Sequence, residues 1–282
     1  MSAGANLRTN GGSIGHPQIG PQFVLPPFHA TPGLVSVMVP CCGQLEHTRL
    51  LVPNLLRHSR RPCEFIFIDV GSLDGTYEFL GGVAAAAGIP VEIVRTVTDV
   101  GLSAAIQEAL SRVRGEYVVL LNNDTIVTSG WLDQLTALAN LDPKIGLVGP
   151  MSNYAAPPQL VEKIPYRLKP RQDARAASGL VVNAPWDFDG LEQFAREWRD
   201  QSAGKWMEVQ WLGGFCLLVK RKVLDTVGPL KVESGLALFD TDNLCHKARE
   251  AGFMLVVCRD LFIHNFGTRT ISHGGPATAP GL

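Results

Sequence analysis

The sequence predicts an α/β fold built on a single, mostly parallel central sheet with helices on both faces. Two observations support this prediction. First, short apolar runs alternate with amphipathic segments of roughly a dozen residues, the alternation that builds β-α-β units. Second, the runs at 65–68 and 117–121 contain no charged or amide side chain. Such uninterrupted runs are typical of parallel strands that are covered on both faces.

The predicted elements follow one another in a regular order through residue 150. The segment from Gly101 is the clearest helix, because Leu102, Ala105, Ile106 and Ala109 fall on one helical face. Each predicted strand is an apolar run, and each predicted helix repeats apolar residues three and four positions apart. We predict strands at 34–39, 64–69, 91–94, 117–121 and 145–148, and helices at 46–58, 76–87, 101–113 and 131–141.

The rest of the chain is less regular. Residues 1–33, rich in Gly, Pro, Asn and Ser, are predicted to be a disordered leader, and residues 274–282 a mobile tail. Residues 151–208 carry several prolines and are predicted to be a variable insertion. A strand with two glycines in its middle is predicted at 209–219, where the glycines would let a ligand or another backbone approach closely.

Composition argues against several classes of function. The 282 residues are 46% hydrophobic and 18% charged, with a formal net charge of −1, so we expect neither a nucleic acid nor an anionic membrane as partner. The six cysteines show no metal-binding or redox spacing. The sequence shows no signal peptide and no run long enough for a transmembrane helix. We therefore predict a cytoplasmic location without a transmembrane segment, and peripheral membrane contact stays open.

Polar side chains follow several apolar runs, where parallel strands would emerge from the sheet. Asp69 ends one run, and Asn122-Asn123-Asp124 follows another. Open α/β sheets bind ligands at this edge, and hard oxygen ligands suit Mg²⁺ or Mn²⁺ that bridge to phosphates. A polar turn after a core strand is the alternative at 122–124. No GxGxxG or GxxxxGK[ST] follows the first strand and no GxSxG is present, which argues against dinucleotide oxidoreductases, P-loop enzymes and α/β-hydrolases.

Three stretches of the first half resemble motifs of the family 2 glycosyltransferases of the GT-A fold. Residues 69–76 (DVGSLDGT) are similar to the family's D-N-G-S-x-D-G-T. Residues 99–101 (DVG), before an alanine-rich helix, are similar to its N-x-G stretch. Residues 121–125 (LNNDT) are similar to the L-N-N-D-T form of its DxD motif.

The second half continues the resemblance in the family's order. Residues 213–221 resemble the family's G-G-x-x-x-x-x-R strand, residues 240–242 its acceptor-side E-D-x-D motif, and His264 its late histidine. The match extends over about 35–270. It implies a GT-A-type domain at 34–273, with a nucleotide-sugar half at 34–150 and an acceptor half at 209–273.

The resemblance implies roles on the donor side. Asp69 would hydrogen-bond the nucleotide base, most plausibly the N3–H of a uracil or thymine ring, or else cap the following helix. Asp74 would cap that helix. Asn122 would touch the ribose or a metal-bound water, and the paired glycines would make room for the donor sugar. The donor-binding set is then Asp69, Asp99, Asn122, Asn123, Gly213 and Gly214.

The resemblance also implies a metal site and a catalytic base. Asp124 would bind Mn²⁺ or Mg²⁺ bridging the diphosphate. His264 would complete the metal's ligands or be a hydrogen-bonded histidine at a strand end. Asp240 would be the general base that takes the proton of the acceptor hydroxyl. Asp242 would share that role or cap the next helix, and the cap is the preferred interpretation.

The sequence departs from the family at several positions. Cys41-Cys42-Gly43 replaces a polar run, Val70 replaces an asparagine, Phe239 replaces an acidic residue, and His246 stands where arginine is common. Two hypotheses follow. One is an inverting glycosyltransferase of polysaccharide or surface-glycan synthesis, with a UDP- or dTDP-sugar donor, a divalent cation and a sugar or glycoconjugate acceptor. The alternative is a non-catalytic GT-A-like module that binds nucleotide sugars in a glycan assembly system.

Overall fold

The computed structural model describes residues 30–96, 101–170, 186–228 and 240–267. The predicted tail and nearly all of the predicted leader lie outside these residues. Asp99 and Phe239 lie outside them as well.

Twelve strands form in these stretches, and eight of them make one central sheet. The eight are β1 (Thr31–Cys41), β2 (Cys63–Val70), β3 (Val91–Thr96), β4 (Gly115–Leu121), β6 (Ile145–Met151), β9 (Trp206–Val209), β10 (Cys216–Lys220) and β11 (Met254–Phe262). Their order across the sheet is β3-β2-β1-β4-β10-β6-β11-β9. Two short pairs stand apart, β5 (Thr125–Ile126) with β12 (His264–Asn265), and β7 (Lys169–Pro170) with β8 (Trp186–Asp187).

The sheet is mostly parallel, as predicted. Strands β3, β2, β1 and β4 are parallel neighbours, and β6 is parallel to β11. Strand β10 is antiparallel to both β4 and β6, so those two share one direction, and β9 is antiparallel to β11. All strands of this sheet except β9 and β10 therefore deliver their carboxyl ends to the same edge, which we call the site edge.

Helices cover both faces of the sheet, as predicted. They are α1 (Leu45–His58), α2 (Thr76–Ala86), α3 (Gly101–Arg112), α4 (Trp131–Leu141), α5 (Asp189–Ser202), α6 (Arg221–Val227) and α7 (Thr241–Glu250). On one face, Leu51, Leu80 and Trp131 of α1, α2 and α4 pack in a cluster with Val37 and Phe67. On the other, Ile106, Leu191, Val223 and Leu244 of α3, α5, α6 and α7 pack in a cluster with Met38 and Ile66. Alternate residues of each strand point to opposite faces, so each cluster takes half of the strand side chains.

Strand β1 begins at Thr31 and not at residue 34. The earlier start has a clear cause, because the Thr31 amide donates to the Arg114 carbonyl at 2.8 Å and the Gly33 amide to the Glu116 carboxylate at 2.8 Å. These bonds tie the first residues of β1 to the start of β4.

Strand β6 runs on through Gly149 and Pro150 to Met151, although these two residues were predicted to end it. On the β10 side proline is tolerated, because β10 pairs only with residues 147–148 and has no ladder partner for Pro150. The Pro150 carbonyl instead accepts from the buried Gln159 amide at 2.8 Å.

The predicted strand at 209–219 is in fact two strands with a crossing between them. Strand β9 ends at Val209 at the margin of the sheet, whereas β10 begins at Cys216 in its middle. Because the chain must travel between these two places, Gly213 and Gly214 lie in the connecting segment and not within a strand. Among the described residues, no helix is long and apolar enough to cross a membrane.

Candidate functional site

The site edge brings together the strand ends that the sequence singled out. In the parallel register, Cys41 of β1 lies opposite Asp69 of β2, and Asp69 lies opposite Arg95 of β3. On the other side of β1, strand β4 ends at Leu121, and the Asn122 amide donates to the Phe215 carbonyl at 2.9 Å. The two polar strand ends are thus separated by the width of β1 alone.

Asp69 is fully buried, and its two oxygens have different partners. Oδ1 accepts from the Ser72 amide at 3.2 Å, and Oδ2 lies 3.2 Å from Nε of Arg95. The Arg95 guanidinium in turn stacks on the Tyr77 ring, 4.0 Å from its centroid. A buried carboxylate needs such compensation, because removal of its charge from water is expensive. Asp69 makes no cap for α2, so the alternative interpretation of this residue was wrong.

Asp74 is the side chain that caps α2. Its Oδ1 accepts from the Thr76 amide at 3.2 Å and from the Thr76 hydroxyl at 2.7 Å. Its pKa is lowered overall: desolvation alone would raise it, but hydrogen bonds from Thr76 and Leu45 outweigh that effect. The capping role that the sequence suggested for Asp74 is confirmed.

Residues 122–124 follow directly after β4, and the side chains of Asn123 and Asp124 are buried there. Asn123 is fully buried: its amide nitrogen lies 3.4 Å from the Thr48 hydroxyl, and its Oδ1 has no hydrogen-bond partner among the described residues. Asp124 is almost fully buried as well, and its carbonyl accepts from the Phe266 amide at 2.9 Å. Its carboxylate also affects the nearby His47. Burial lowers the pKa of His47, and the negative charge of Asp124 raises it, but burial has the larger effect.

His264 reaches this place through the short ribbon of β5 and β12. It pairs with Ile126, and its neighbour Asn265 pairs with Thr125, directly after Asp124. Nδ1 of His264 lies 2.8 Å from the Tyr166 hydroxyl. Burial lowers the pKa of His264 to about 4, so the ring is neutral near pH 7.

These residues fit a divalent metal only if substrate supplies part of the coordination. In the described part of the chain, no group of three or more His, Cys, Asp or Glu residues could hold a metal ion. Asp124 offers a hard carboxylate and His264 a neutral imidazole. Mg²⁺ is commonly held by one or two carboxylates together with waters and substrate phosphates, and a two-residue site fits that pattern.

Asp240 occupies the N-cap position of α7 and accepts from the Asn243 amide at 2.9 Å. Asp242 lies exposed within the first turn, and its carboxylate accepts from the Trp211 indole nitrogen. The prediction that Asp242 caps this helix was therefore wrong. Because α7 begins at Thr241, the residue before it, Asp240, is the one that reaches the amide three positions on.

The two adjacent glycines bring the start of α7 to the end of β4. A Cβ on Gly214 would lie 2.9 Å from Cγ2 of Thr241, so this close approach requires glycine. The next residue, Phe215, accepts the hydrogen bond from Asn122. The Gly213 amide donates to Oε1 of Gln159 at 2.7 Å. Protein atoms thus fill the space beside both glycines, and their proposed contact with a donor sugar stays a prediction.

Sequence reasoning missed several partners of the site. Arg95 could have been found, because it follows the third apolar run at the same edge. Tyr166 and Gln159 gave no signal, since both lie in the proline-rich segment with no periodicity. His47 follows the glycine turn after β1 and resembled an ordinary surface residue of an amphipathic helix.

Comparison with known proteins agrees with this architecture. A sequence model described as "Glycosyltransferase like family 2" matches residues 32–274. The chain is 25% identical over 228 residues to an N-acetylglucosaminyl-diphospho-decaprenol L-rhamnosyltransferase of Mycobacterium tuberculosis, covering 74% of this chain and 68% of that protein. It is 27% identical over 236 residues to the protein y4gI of Sinorhizobium fredii, covering 80% of this chain but only 24% of that longer protein.

The fold is also similar to a mannosyltransferase from Pyrobaculum calidifontis, solved in complex with GDP-Man and Mn²⁺. The TM-score is 0.58 at 18% identity, and the match covers 87% of this chain and 60% of that one. The central sheet with helices on both faces is thus of the GT-A type. Together with the family match over most of the sequence, this places the chain in glycosyltransferase family 2.

Proposed function

We propose that the protein transfers a sugar, with inversion, from a UDP- or dTDP-sugar to a hydroxyl of a sugar or glycoconjugate acceptor, with help from Mn²⁺ or Mg²⁺. One observation carries the proposal. Asp124 at the end of β4 and Asp240 at the start of α7 are brought to the same edge by two short links, Asn122 to Phe215 and Gly214 to Thr241. A metal-binding carboxylate and a base are what such a transfer needs on either side of the donor sugar.

The nucleotide would lie over β1 and β2. Asp69 would accept the N3–H of a uracil or thymine base, and Arg95 would keep its charge compensated in the buried site. A uracil or thymine offers an N–H donor there. We therefore propose that the hydrogen bond to Asp69 sets the base preference, and that the sugar donor carries a pyrimidine nucleotide.

The metal would be held by Asp124 and His264 and by oxygens of the donor diphosphate. When bound, such an ion neutralises charge on the leaving nucleoside diphosphate. The Tyr166 hydroxyl sits at Nδ1 of His264, so Nε2 is the nitrogen that would face a metal. For this role the Nδ1–H must donate to the Tyr166 oxygen, which leaves the lone pair on Nε2.

Asp240 would take the proton of the attacking hydroxyl. The acceptor oxygen bonds to the anomeric carbon as the bond to the diphosphate oxygen breaks, and the proton passes to the Asp240 carboxylate. Its Oδ1 is fixed by the Asn243 amide, so the side chain is oriented before substrate binds.

The experiment that tests the proposal measures nucleotide affinity and turnover together. UDP, dTDP and GDP are titrated calorimetrically with Mn²⁺, with Mg²⁺ and with EDTA. We expect UDP or dTDP to bind more tightly with metal, and Asp124→Ala to abolish the difference. Asp133→Ala is the matched control, because Asp133 is an exposed carboxylate on α4 that pairs with Arg61.

Equal affinity with Mn²⁺ and with EDTA in the wild type would refute the metal role. Tight binding by GDP alone would refute the pyrimidine donor. Binding without release of nucleoside diphosphate from any UDP- or dTDP-sugar, across a panel of saccharide acceptors, would favour the non-catalytic binding module. Three departures from the family's motifs would support that outcome, namely the neutral Asn122 at the first position of the metal motif, Phe239 and His246.

A further inference from the structure

One exposed carboxylate joins the two loops at the base-binding end of the site edge. Oδ2 of Asp74 accepts from the Leu45 amide, the first residue of α1, at 2.9 Å, while Oδ1 holds the start of α2 through Thr76. Leu45 follows β1 and Thr76 follows β2. A single side chain thus fixes the beginnings of two helices that come from neighbouring strands.

Ser72 extends this connection to Asp69. The Gly43 amide donates to the Ser72 hydroxyl at 2.9 Å, and that hydroxyl donates to the Cys41 carbonyl at 3.2 Å. The Ser72 amide donates to Asp69 at 3.2 Å. Two hydrogen bonds, Leu45 to Asp74 and Gly43 to Ser72, therefore tie the loop after β1 to the loop after β2, and the Ser72 amide connects that second loop to the buried carboxylate of Asp69.

Two neighbouring side chains in these loops, those of Leu73 and Gln44, add no such link in the described part of the chain. Leu73, between Ser72 and Asp74, is 96% exposed, so its side chain anchors nothing. Gln44 has a φ of 61°, a left-handed conformation that is unfavourable for a residue with a side chain, and it offers α1 no side-chain cap. Because the first amides of a helix have no partner within the helix, the Leu45 amide depends on Asp74.

We propose that Asp74 is a positioning residue for the nucleotide base: it locks the loop after β1 against the loop after β2, so that the Cys41–Gly43 backbone and Asp69 form a preformed base pocket. The inference rests on the proposed function, since it needs a nucleotide at this edge. It concerns the base alone, because Asp74 has no link to the metal-binding end among its contacts in the described structure. Asp74 acts through Leu45 and Ser72 and touches no reacting atom.

The physical effect is one of preorganisation. When the loops are already fixed, a bound base does not have to pay the entropy of ordering them. Without Asp74, the strained Gln44 can relax and the pocket has to form anew on each binding event. We therefore expect weaker binding of anything that carries the base, with no change for ligands that carry only phosphate.

The experiment compares three ligands: the tightest-binding of UDP, dTDP and GDP, the corresponding nucleoside, and inorganic pyrophosphate with Mn²⁺. In Asp74→Ala we expect affinity for nucleotide and nucleoside to fall about tenfold, the size of one or two net hydrogen bonds. Affinity for pyrophosphate should not change. Asp74→Asn keeps one acceptor oxygen, so its affinity for nucleotide and nucleoside should lie between those of the wild type and Asp74→Ala. It also provides a folded variant if alanine destabilises the chain.

The matched control is Asp142→Ala. Asp142 ends α4 at the opposite edge of the sheet, and its carboxylate accepts from the Lys144 amide at 2.7 Å in the same kind of turn. This variant should lose stability, measured by thermal unfolding, and keep wild-type nucleoside affinity. If Asp74→Ala also keeps wild-type nucleoside affinity, or loses nucleotide and pyrophosphate affinity alike, the inference is overturned. A wild-type protein that binds none of the nucleotides would refute the proposed function itself.

Discussion

The site edge has two ends that are built in different ways. The base end consists of Asp69, Ser72 and Asp74, which lie within six residues of one another in the sequence and share one set of hydrogen bonds with the loop after β1. The transfer end consists of Asp124, His264 and Asp240, which come from three distant parts of the chain. The β5–β12 ribbon, the Asn122–Phe215 hydrogen bond and the Gly214–Thr241 contact bring their segments to the same edge.

The two ends should therefore respond differently to substitution. At the base end, each polar group has a local partner, so a substitution should act mainly on the group that it removes. At the transfer end, the positions of the functional side chains depend on packing between remote segments. A substitution that moves one of these segments should therefore lower the transfer rate even when it removes no functional group. The three predictions below test that contrast.

The largest effect is expected at Asp240. Replacement by asparagine removes the proposed base but keeps a good N-cap, because Asn and Asp are about equally favourable there. The transfer rate in Asp240→Asn should fall by about 10²–10⁴-fold, the usual value of general-base assistance, with thermal stability and donor affinity near wild type. Single-turnover transfer, with an acceptor found by screening, measures the rate.

Asp242→Asn is the matched control for this prediction. Asp242 bonds to the Trp211 indole on the exposed side of α7, so this variant should retain its rate. A wild-type rate in Asp240→Asn together with a dead Asp242→Asn would show that the base was assigned to the wrong carboxylate.

The second effect is expected at Asp69. Asp69→Ala should weaken nucleotide binding by about 1.5–3 kcal/mol, the value of a hydrogen bond to a charged group. Calorimetric titration with nucleotide, and with pyrophosphate and Mn²⁺ as control, separates loss of base contact from general damage. Arg95 loses its buried partner in this variant but is itself 39% exposed, so it can turn to solvent. Unchanged nucleotide affinity with a lowered melting temperature would mean that Asp69 serves only to hold the Ser72 turn.

The smallest effect is expected from a single added methyl group. In Gly214→Ala the new Cβ meets Thr241 at 2.9 Å, and overpacking of this kind destabilises proteins by about 1–3 kcal/mol. Denaturant unfolding measures the stability, and the transfer rate should fall as well because Asp240 moves with α7. Gly81→Ala is the control, since that glycine lies inside α2 with open space beside it and alanine favours helix there. Equal stability of Gly214→Ala and the wild type would show that α7 can shift freely.

The sequence indicated which side chains emerge at the site edge, but not the contacts between distant segments that hold them there. Asp69 and Asn122–Asp124 each follow an apolar run, and a parallel sheet then leaves one edge at which they can emerge. The turn chemistry of Asp74 is local too, and it was predicted correctly. These inferences needed only neighbours in the sequence.

The failures share a physical cause, which is dependence on distant segments. Which residue caps α7 depends on where the helix starts. Since it starts at Thr241, the cap is Asp240 and not Asp242, and the sequence does not define the helix start to within one or two residues. The pairing of Tyr166 with His264 joins residues 98 positions apart, and two-residue strands such as β5 and β12 are too short to show any periodicity. The break between β9 and β10 was missed because the mostly apolar sequence of residues 209–219 did not show that the chain moves from the margin of the sheet to its middle.

The reversed direction of β10 has an evolutionary consequence. After β1, β2 and β4 the chain emerges at the site edge, so insertions or deletions directly behind those strands remodel the ligand pocket. Behind β10 the chain emerges at the far edge and enters α6 at once. Length changes at that junction lie away from the site edge, whereas length changes in the segment before β10, which holds the two glycines, would disturb the Asn122–Phe215 and Gly214–Thr241 contacts. Insertions before and after this one strand should therefore have opposite consequences for the site.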